Sequence, residues 1–417
     1  MVVAIGNGPN TGPNIAGSYI ARNNEGSTPG VASTTATPSA FNQLITDSSS
    51  FSVTLDSGTR NAIQWIAAKK HILIGTTGGE WRMGGPSQRP LTPTNYELKQ
   101  QTNRGSKDMQ PVLISDAIAF VNVVGRKLHK LTFDGISEDY ETPDLSVLAE
   151  HITESGVTSM AFQRNPDEIL WLTRADGILL SMTYDPIQNV IAWARHPMRT
   201  ALAESVVVIP GDGEDEVWVF VQRTVNGSTV RYVERMKPRN WGDDVEDMFF
   251  VDSGLTYDAT TTTTITGLDH LEGETVAILG DGAVLPTKVV SSGSISLDES
   301  VSVAQVGLPY TYKLKPMRMD QNTSQGTSKG SVKKFAEVVI SFFRTLNAKF
   351  GDGNTTFKIP WRESSDAYGD PPALFTGDKE VVTDGGFNVE DPFEITGSDP
   401  MPCSVRAIIP RVEVTGR

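Results

Sequence analysis

The chain repeats one motif four times: an apolar strand, a tight polar turn and a second strand. The four copies begin at His71, Ala117, Glu168 and Glu216, so neighbouring starts lie 46, 51 and 48 residues apart. A period of roughly 40 to 50 residues with several strands per unit is typical of propeller blades, because one small sheet cannot bury both of its faces alone. The repeat therefore predicts a stack of small sheets. It indicates a structural scaffold and does not by itself indicate a chemical reaction.

The turns inside the repeats support this interpretation. In the third copy, apolar and polar residues alternate on both sides of an Ala175–Gly177 turn, as they do in strands that pack one face against a neighbour. In the fourth copy, Asn226 and Gly227 form one of the strongest hairpin signals that a sequence can carry. We expect each copy to form a hairpin.

Composition narrows the fold class to an all-β protein. The 417 residues include 38 glycines and 24 prolines with 38% hydrophobic residues, which suits a turn-rich β protein of two or three domains. The single cysteine, Cys403, excludes an internal disulfide framework and a cysteine-based zinc site. No apolar run is long enough to span a bilayer, and the first residues lack the features of a secretory signal. We therefore expect synthesis in a cytoplasm.

Charge bears on the kind of partner. The formal net charge is −14, from 50 acidic and 36 basic residues. Proteins that grip DNA neutralise its phosphates with clustered Lys and Arg, so this balance disfavours tight nucleic-acid binding. It is compatible with a surface that DNA slides past, and equally with an ordinary acidic surface that maintains solubility.

The character of the sequence changes along the chain and predicts five segments. Lys333–Asn347 satisfies both the helical and the strand period, but its β-branched and aromatic content favours a strand. The segments are a low-complexity N-terminal arm (1–50), β-propeller blades (51–247), a small antiparallel β-barrel or sandwich platform (248–319), a linker (320–331) and C-terminal strands that complete the propeller or the platform (332–417).

Residue types that are used in catalysis and metal binding are present, but they are not arranged as in known sites. There is no P-loop, dinucleotide fingerprint, HExxH or paired-cysteine motif, and the nucleophile-elbow pattern at Gly326–Gly330 lies in a polar loop. The acidic residues at Asp212–Glu216, Asp281 and Asp352 lie in turns and are typical of hairpin tips. The alternative is that they form loops that bind calcium weakly. We therefore predict no catalytic, cofactor-binding or metal-binding residues. The five histidines lack ligand-like spacing; they are His71, His129, His151, His196 and His270.

Five tryptophans fall within the repeats. We expect them to pack between blades, with a sugar-stacking platform as the alternative. They are Trp65, Trp81, Trp171, Trp193 and Trp218.

Five phrases occur in a fixed order over about Phe51 to Val414. They are NAIQWIAAKKHILIGTTGGEWRM, DGILLSMTYDPIQNVIAWARH, GLDHLEGETVAILGDGAVLP, KKFAEVVISFFRTL and SVRAIIPRVEV. In this order the chain resembles the tail nozzle proteins of short-tailed bacteriophages, also called tail tubular protein B or packaged-DNA stabilisation proteins. About 50 low-complexity residues stand at the start, where the family has longer β-rich sequence.

The resemblance implies a β-propeller joined to a small β platform, with no catalytic residues. It also implies six copies in a ring around the axis of the viral tail, and a lumen that retains the packaged genome and conducts the double-stranded DNA during ejection. The implied location is the tail of the virion, and the implied partners are portal-side adaptor proteins and tail fibres. Arg344, Arg406 and Arg411 are candidates for the lumen or for contacts between subunits.

Two other functions remain open. A receptor-binding adhesin is suggested by the exposed, Thr-rich loops. A propeller glycan hydrolase is suggested by the tryptophans and the acidic turns, although the Asp-box pattern of propeller glycosidases is not found in any repeat.

Overall fold

The structure is a computed structural model, and it confirms an all-β protein. In the part of the chain that the structure describes, the helical segments are two single 3-10 turns, Val245–Asp247 and Asp269–Leu271. Contacts divide the chain into two compact units, the first formed by Met1–Pro197 with Leu202–Val221 and the second by Met198–Ala201 with Gln222–Arg417. The residues described are 2–5, 18–22, 30–31, 51–55, 61–85, 91–92, 94–318, 322–323, 326–329, 331–351, 355–362, 364, 366–367, 371–382 and 393–414.

The first part of the chain forms a series of small antiparallel sheets. An N-terminal sheet has the order β3-β2-β1-β4. It contains β1 (Val2–Ile5), β2 (Ser18–Arg22), β3 (Gly30–Val31) and β4 (Phe51–Thr54). Four sheets follow, numbered here sheet 1 to sheet 4, and in each the strands are neighbours in chain order.

Sheet 1 contains β5 (Ile63–Ala68), β6 (Ile72–Thr76), β7 (Gly79–Gly84) and β8 (Glu97–Thr102). Sheet 2 contains β9 (Val112–Ile114), β10 (Ala117–Val121), β11 (Leu128–Phe133) and β12 (Tyr140–Glu141). Sheet 3 contains β13 (Val157–Gln163), β14 (Ile169–Arg174), β15 (Leu179–Asp185) and β16 (Val190–His196). Sheet 4 contains β17 (Ala201–Ile209), β18 (Glu216–Val225) and β19 (Ser228–Arg235), and the division between the two units falls inside β18.

The segment predicted as a low-complexity arm, residues 1–50, contains strands that pair in a sheet. Val2–Ile5 pairs with Ser18–Arg22 on one side and with Phe51–Thr54 on the other. The short apolar island VVAI satisfies its backbone hydrogen-bonding groups in this sheet, although its low-complexity neighbours could not form a core of their own.

The four repeats correspond to sheets 1 to 4. Each copy begins at, or one residue before, the second strand of its sheet: His71 before β6, Ala117 in β10, Glu168 before β14 and Glu216 in β18. The predicted strand, turn and strand are therefore the second strand, the turn and the third strand of each sheet. The sheets are open, since each has two edge strands.

Strand β10 shows why these sheets stack. All five of its residues are buried, because both of its faces are covered. Phe120 on one face belongs to a cluster with Trp65 of sheet 1, and the alternate residues Ala119 and Val121 belong to a cluster with Leu170 of sheet 3. A strand with two covered faces reads as a continuous apolar run, and a single sheet could not bury both sides of it.

Sheet 3 is covered differently on its two faces. Leu172, Leu180 and Met182 point into the apolar cluster shared with sheet 2. On the other face, sheet 3 makes polar contacts with sheet 4: Ser159 Oγ lies 3.3 Å from Ser205 Oγ, and Gln163 Nε2 donates to the Asp215 carbonyl oxygen at 3.3 Å. Sheet 3 therefore contacts both of its neighbours in the stack.

A regular series of backbone hydrogen bonds joins one sheet to the next. In each of sheets 1 to 4, a carbonyl oxygen in the segment that leads to the first strand accepts from an N–H at the end of the second strand or in its turn. At each of the three junctions between sheets, a carbonyl oxygen at that turn accepts from an N–H at the entry to the next sheet. The first kind joins Ala62 to Thr77, Gly105 to Val123, Gly156 to Ala175 and Thr200 to Thr224, and the second joins Thr76 to Ser106, Gly125 to Val157 and Gly177 to Ala203, all at 2.7–3.0 Å.

Glycines with positive φ make this series possible, and Gly177 shows the requirement most clearly. Its φ is +82°, and a Cβ atom added there would lie 2.5 Å from Leu202 Cβ and 2.8 Å from Leu202 Cα. We expect Gly177→Ala to lower the free energy of unfolding by about 2 kcal/mol or more, since the left-handed backbone and the clash both oppose it. Thermal or denaturant unfolding measures this loss.

Gly213→Ala is the matched control for this substitution. Gly213 has a similar φ of +90°, but an added Cβ would meet no atom within 4 Å. The control therefore carries only the conformational cost of about 1 kcal/mol. Equal losses for the two variants would contradict a tight junction at Gly177.

The second unit contains three further sheets and a short hairpin of β25 (Asn322–Thr323) and β26 (Gly326–Thr327). Sheet 5 has the order β20-β23-β21-β22, with β20 (Asp252–Thr266), β21 (Thr275–Gly280), β22 (Ala283–Val289) and β23 (Ser294–Leu308). Sheet 6 has the order β24-β31-β28-β29, with β24 (Tyr312–Leu314), β28 (Lys349–Gly351), β29 (Thr356–Lys358) and β31 (Glu394–Gly397). Sheet 7 has the order β30-β27-β32, with β27 (Lys333–Thr345), β30 (Phe375–Val382) and β32 (Val405–Val414).

Sheet 5 corrects one expectation and β27 confirms another. The platform segment is an open antiparallel sheet, with β20 and β22 as its edges, so the closed barrel is wrong while the antiparallel β domain is confirmed. A register shift between Asp258 and Thr262 bends β20, and such bulges let a sheet curl over a core without closing. Lys333–Thr345 is a strand, as its β-branched content predicts.

Candidate functional site

The five histidines lie in separate local environments. His71 Nδ1 lies 3.2 Å from the Tyr140 hydroxyl, and the His129 ring stacks on Phe120 with centroids 5.6 Å apart. His270 Nε2 lies 2.8 Å from the Ser253 carbonyl oxygen, and His151 is exposed. Among the residues described, no group of three or more His, Cys, Asp or Glu lies close enough together to hold a metal ion.

His196 forms the one contact of this set that resembles part of a catalytic arrangement. Its Nε2 lies 2.7 Å from Ser181 Oγ, which is the spacing of a nucleophile and its base. Ser181 is buried within sheet 3, and Trp171 lies beside the His196 ring at 5.2 Å. In the described part of the chain, no carboxylate is hydrogen bonded to this ring to orient it. The pair is a partly buried hydrogen bond between two neighbouring strands of sheet 3.

Burial of His196 predicts acid-dependent stability. Desolvation lowers the pKa of His196 from 6.5 to about 4. The unfolded chain therefore binds one more proton than the folded chain between pH 6.5 and pH 4, so this contribution is complete above pH 6.5 and is lost as pH falls toward 4. We expect a loss of about 3 kcal/mol at pH 4, measured by denaturant unfolding at several pH values.

The control is a pair of variants. His196→Gln keeps a hydrogen-bonding side chain beside Ser181 but cannot titrate, so the loss between pH 6.5 and pH 4 should shrink. His151→Gln changes an exposed histidine and should leave the pH profile as it was. An unchanged profile in His196→Gln would contradict the assignment.

Four of the five tryptophans pack in cores, and two of them, Trp65 and Trp193, lie between successive sheets. Trp65 lies in the cluster between sheets 1 and 2, with its ring 5.7 Å from that of Phe120, and Trp81 packs in the core beneath sheet 1. Trp171 is buried in sheet 3, and Trp193 packs on the core between sheets 2 and 3. Trp218 is only half-buried, and its Nε1 donates to Glu216 at 3.0 Å.

The acidic turns bind backbone N–H groups of their own fold. Asp281 Oδ1 accepts from the backbone N–H of Ser302 at 2.9 Å and of Val303 at 2.8 Å, and Asp215 Oδ2 accepts from the N–H of Arg164 at 2.7 Å. These contacts are typical of carboxylates that fix turns. Asp352 lies outside the described residues.

The nucleophile-elbow pattern does not have the geometry that its chemistry needs. Ser328 follows the two-residue strand β26, and the next element is the strand β27 instead of a helix. An elbow requires a strand-to-helix turn that exposes the serine, and Ser328 is buried.

Sequence reasoning missed a set of buried charged side chains that hold the entry loops of the sheets. Glu80 is fully buried and accepts hydrogen bonds from Thr102 and, at 2.7 Å, from Ser106 Oγ; burial raises its pKa. Arg174 Nη1 donates to the Ile152 carbonyl oxygen at 2.6 Å. Each lies in a strand of a repeat and fastens the loop that leads into a sheet. Their signal in the sequence is a charged residue within a predicted strand of a repeat.

Arg223 is another of these buried charged side chains. It is fully buried, and it donates to Glu234 at 2.6 and 2.7 Å, to Asp252 Oδ1 at 2.8 Å and to the Arg199 carbonyl oxygen at 2.8 Å. One guanidinium therefore serves two carboxylates. Burial raises the pKa of Asp252 although Arg223 attracts its ionised form.

The second unit contains an open pocket of about 520 Å³. Lys358 Nζ lies 2.9 Å from Asp399 Oδ2 at its wall, so the ammonium is already partly neutralised. The lining residues are mixed in character, which suits a surface depression more than an enclosed site. They are Gly282, Ala283, Val284, Leu346, Lys358, Arg362, Pro371, Pro372, Asp399 and Met401.

The three arginines singled out in the sequence all lie in strands of sheet 7. Arg344 occupies a bulge of β27 with φ +48° and pairs with Asp243 at 3.0 Å, so it fastens a neighbouring loop. Arg406 lies over the Phe343 ring at 4.3 Å, and Arg411 pairs with Glu337 at 3.0 Å. Arg406 and Arg411 therefore belong to the outward face of sheet 7, which is the best candidate for an interaction surface.

Comparison with known proteins gives no family for this chain, because no protein-family model matches it and no curated protein matches it either. In the part of the chain that the structure describes, no helix has the length and apolar character needed to cross a bilayer. We therefore infer the function from the sequence phrases and from the geometry.

Proposed function

We propose that the protein is a structural component of a bacteriophage tail, a nozzle subunit that forms a ring, retains the packaged genome and conducts DNA during ejection. The ordered sequence phrases point to this role. The observation that carries it furthest is the stack of four small sheets with the same backbone junction between successive members. A stack built in this way is rigid, as the wall of a conduit must be.

The stacked sheets support a β-propeller architecture for this scaffold. Successive sheets pack face to face, and the turns after their second strands join the entries to the next sheets, so each sheet is fixed by its neighbours. In a ring of identical subunits, each copy offers one surface to the copy before it and another to the copy after it. A net charge of −14 lets DNA pass without the counterion release that accompanies tight binding.

Immunogold electron microscopy of phage particles from the source tests this proposal, with antibody against this chain. We expect gold at the distal end of a short tail. Labelling on peripheral fibres would replace the nozzle with the adhesin or the hydrolase, and a glycan-depolymerisation assay would then separate those two. Absence of label from every particle, with the protein also absent from the particle proteome, would overturn the proposal.

A further inference from the structure

The outward face of sheet 7 is defined by the strand register. Val338, Ile340 and Phe342 of the central strand β27 point into the core beneath the sheet. The alternate residues Glu337, Val339 and Ser341 therefore point away from it. Sheet 7 thus presents one face of three strands outside its own core.

The register also shows which side chains flank β27 on this face. Glu337 stands between Val382 of β30 and Arg411 of β32, and Val339 stands between Glu380 and Ile409. The next row places Ser341 between Asp378 and Ala407. Three rows therefore cross the face from one edge strand to the other.

Large apolar side chains are exposed on this face. Val382 is 69% exposed, Ile409 58% and Phe343 38%. Single exposed apolar residues need no explanation, but these lie in one sheet and are interleaved with charges, as in the surfaces of protein interfaces.

The charges are separated between the two edge strands. Asp378 and Glu380 are exposed on β30, and Arg406 and Arg411 are exposed on β32. Lys379 does not reduce this separation, since it lies over the Phe375 ring on the opposite face of β30. On β32, Glu413 is also exposed, and Arg411 pairs with Glu337 of β27 at 3.0 Å. The β30 edge therefore carries two carboxylates, whereas the β32 edge carries two guanidinium groups and one carboxylate.

We propose that this face is a self-association surface, on which the acidic strand β30 of one copy meets the basic strand β32 of a second copy. Opposite charges on opposite edges of one sheet make the surface complementary to another copy of itself. The arrangement also disfavours the alternative in which like edges meet, because that alternative would place carboxylates against carboxylates.

The contact is made by side chains. Pro410 lies in β32 and has no N–H to donate, which disfavours extension of the sheet by backbone pairing along this edge. Because the charged groups are exposed, screening by salt weakens their attraction, whereas the apolar contribution of Val382 and Ile409 persists. We expect association to weaken about tenfold or more between low and high salt.

Sedimentation velocity of the full chain over a range of protein and salt concentrations tests the proposal. The double variant Arg406→Glu/Arg411→Glu should associate at least tenfold more weakly than the natural chain. The quadruple variant, which adds Asp378→Arg and Glu380→Arg, exchanges the two edges and should recover association. Circular dichroism and thermal melting establish that each variant is folded.

A charge-matched control separates this surface from general electrostatics. Lys315→Glu/Lys329→Glu makes the same change in net charge at exposed positions outside sheet 7 and should leave association unchanged. A natural chain that stays monomeric throughout, or a quadruple variant no better than the double variant, would overturn the proposal.

The inference does not rest on the proposed function. Association of two copies only, with the charge exchange behaving as expected, would support the surface while counting against the ring. Gold labelling at the tail tip together with charge variants that associate normally would support the nozzle and reject this surface.

Discussion

Arg223→Gln is expected to lower the free energy of unfolding of the second unit by about 3–5 kcal/mol. The substitution leaves the partly buried carboxylates of Glu234 and Asp252 without the guanidinium that serves them both, and removing one partner of such a pair is strongly destabilising. The main-chain oxygen of Arg199 also loses its donor. Thermal or denaturant unfolding of the variant measures the loss.

The pH dependence of this variant identifies the cause. Burial already raises the pKa of Asp252, and removal of Arg223 raises it further. Because protonation removes the unpaired charge, we expect the difference in free energy of unfolding between the variant and the natural chain to become smaller at low pH. The double variant Arg223→Gln/Asp252→Asn removes one of the stranded charges and should recover part of the stability. If this difference stays constant with pH and the double variant recovers no stability, then the loss is due to the changed shape of the side chain and not to its charge.

Phe120→Ala is expected to cost the first unit about 3–5 kcal/mol. Phe120 is fully buried in the strand that is covered on both faces, and its ring contacts Trp65 of the preceding sheet and His129 of its own. The truncation removes buried apolar surface and leaves a cavity between two sheets that the backbone junctions hold in place. Denaturant unfolding with tryptophan fluorescence measures it, since Trp65 reports directly on this interface.

Val124→Ala gives the comparison. Val124 lies just beyond the same strand and is 70% exposed, so its truncation should change stability by no more than about 0.5 kcal/mol. A similar loss in both variants would mean that the interface between sheets 1 and 2 is not the source of the Phe120 effect.

Much of the local structure was accessible from the sequence because it depends on neighbouring residues. The hairpins at Ala175–Gly177 and at Asn226–Gly227 follow from turn chemistry, and β27 follows from its β-branched residues. The strand at Val2–Ile5 could not be predicted, since its partners at Ser18–Arg22 and Phe51–Thr54 are distant in the chain. The open form of sheet 5 depends on bulges in β20, which leave no clear mark in a Thr-rich run.

The candidate surface on sheet 7 could likewise not be predicted from the sequence alone. Arg406 and Arg411 could be singled out as charged residues in an apolar strand, but the acidic partners on Asp378 and Glu380 become part of one face only when β30 and β32 flank β27. Likewise, the buried role of Arg223 depends on Glu234 and Asp252, which lie in other strands. Tertiary pairing decides which charges share a surface, and a single sequence does not specify it.

The junctions between sheets are formed by main-chain atoms, which every residue except proline carries in full. Few positions in such a junction are sensitive to the identity of the side chain, and the left-handed glycines such as Gly177 are among them. Two proteins could therefore share this stack while their sequences diverge almost everywhere else. Among related proteins with this scaffold, the spacing of a few glycines should be retained longer than the identity of the residues between them.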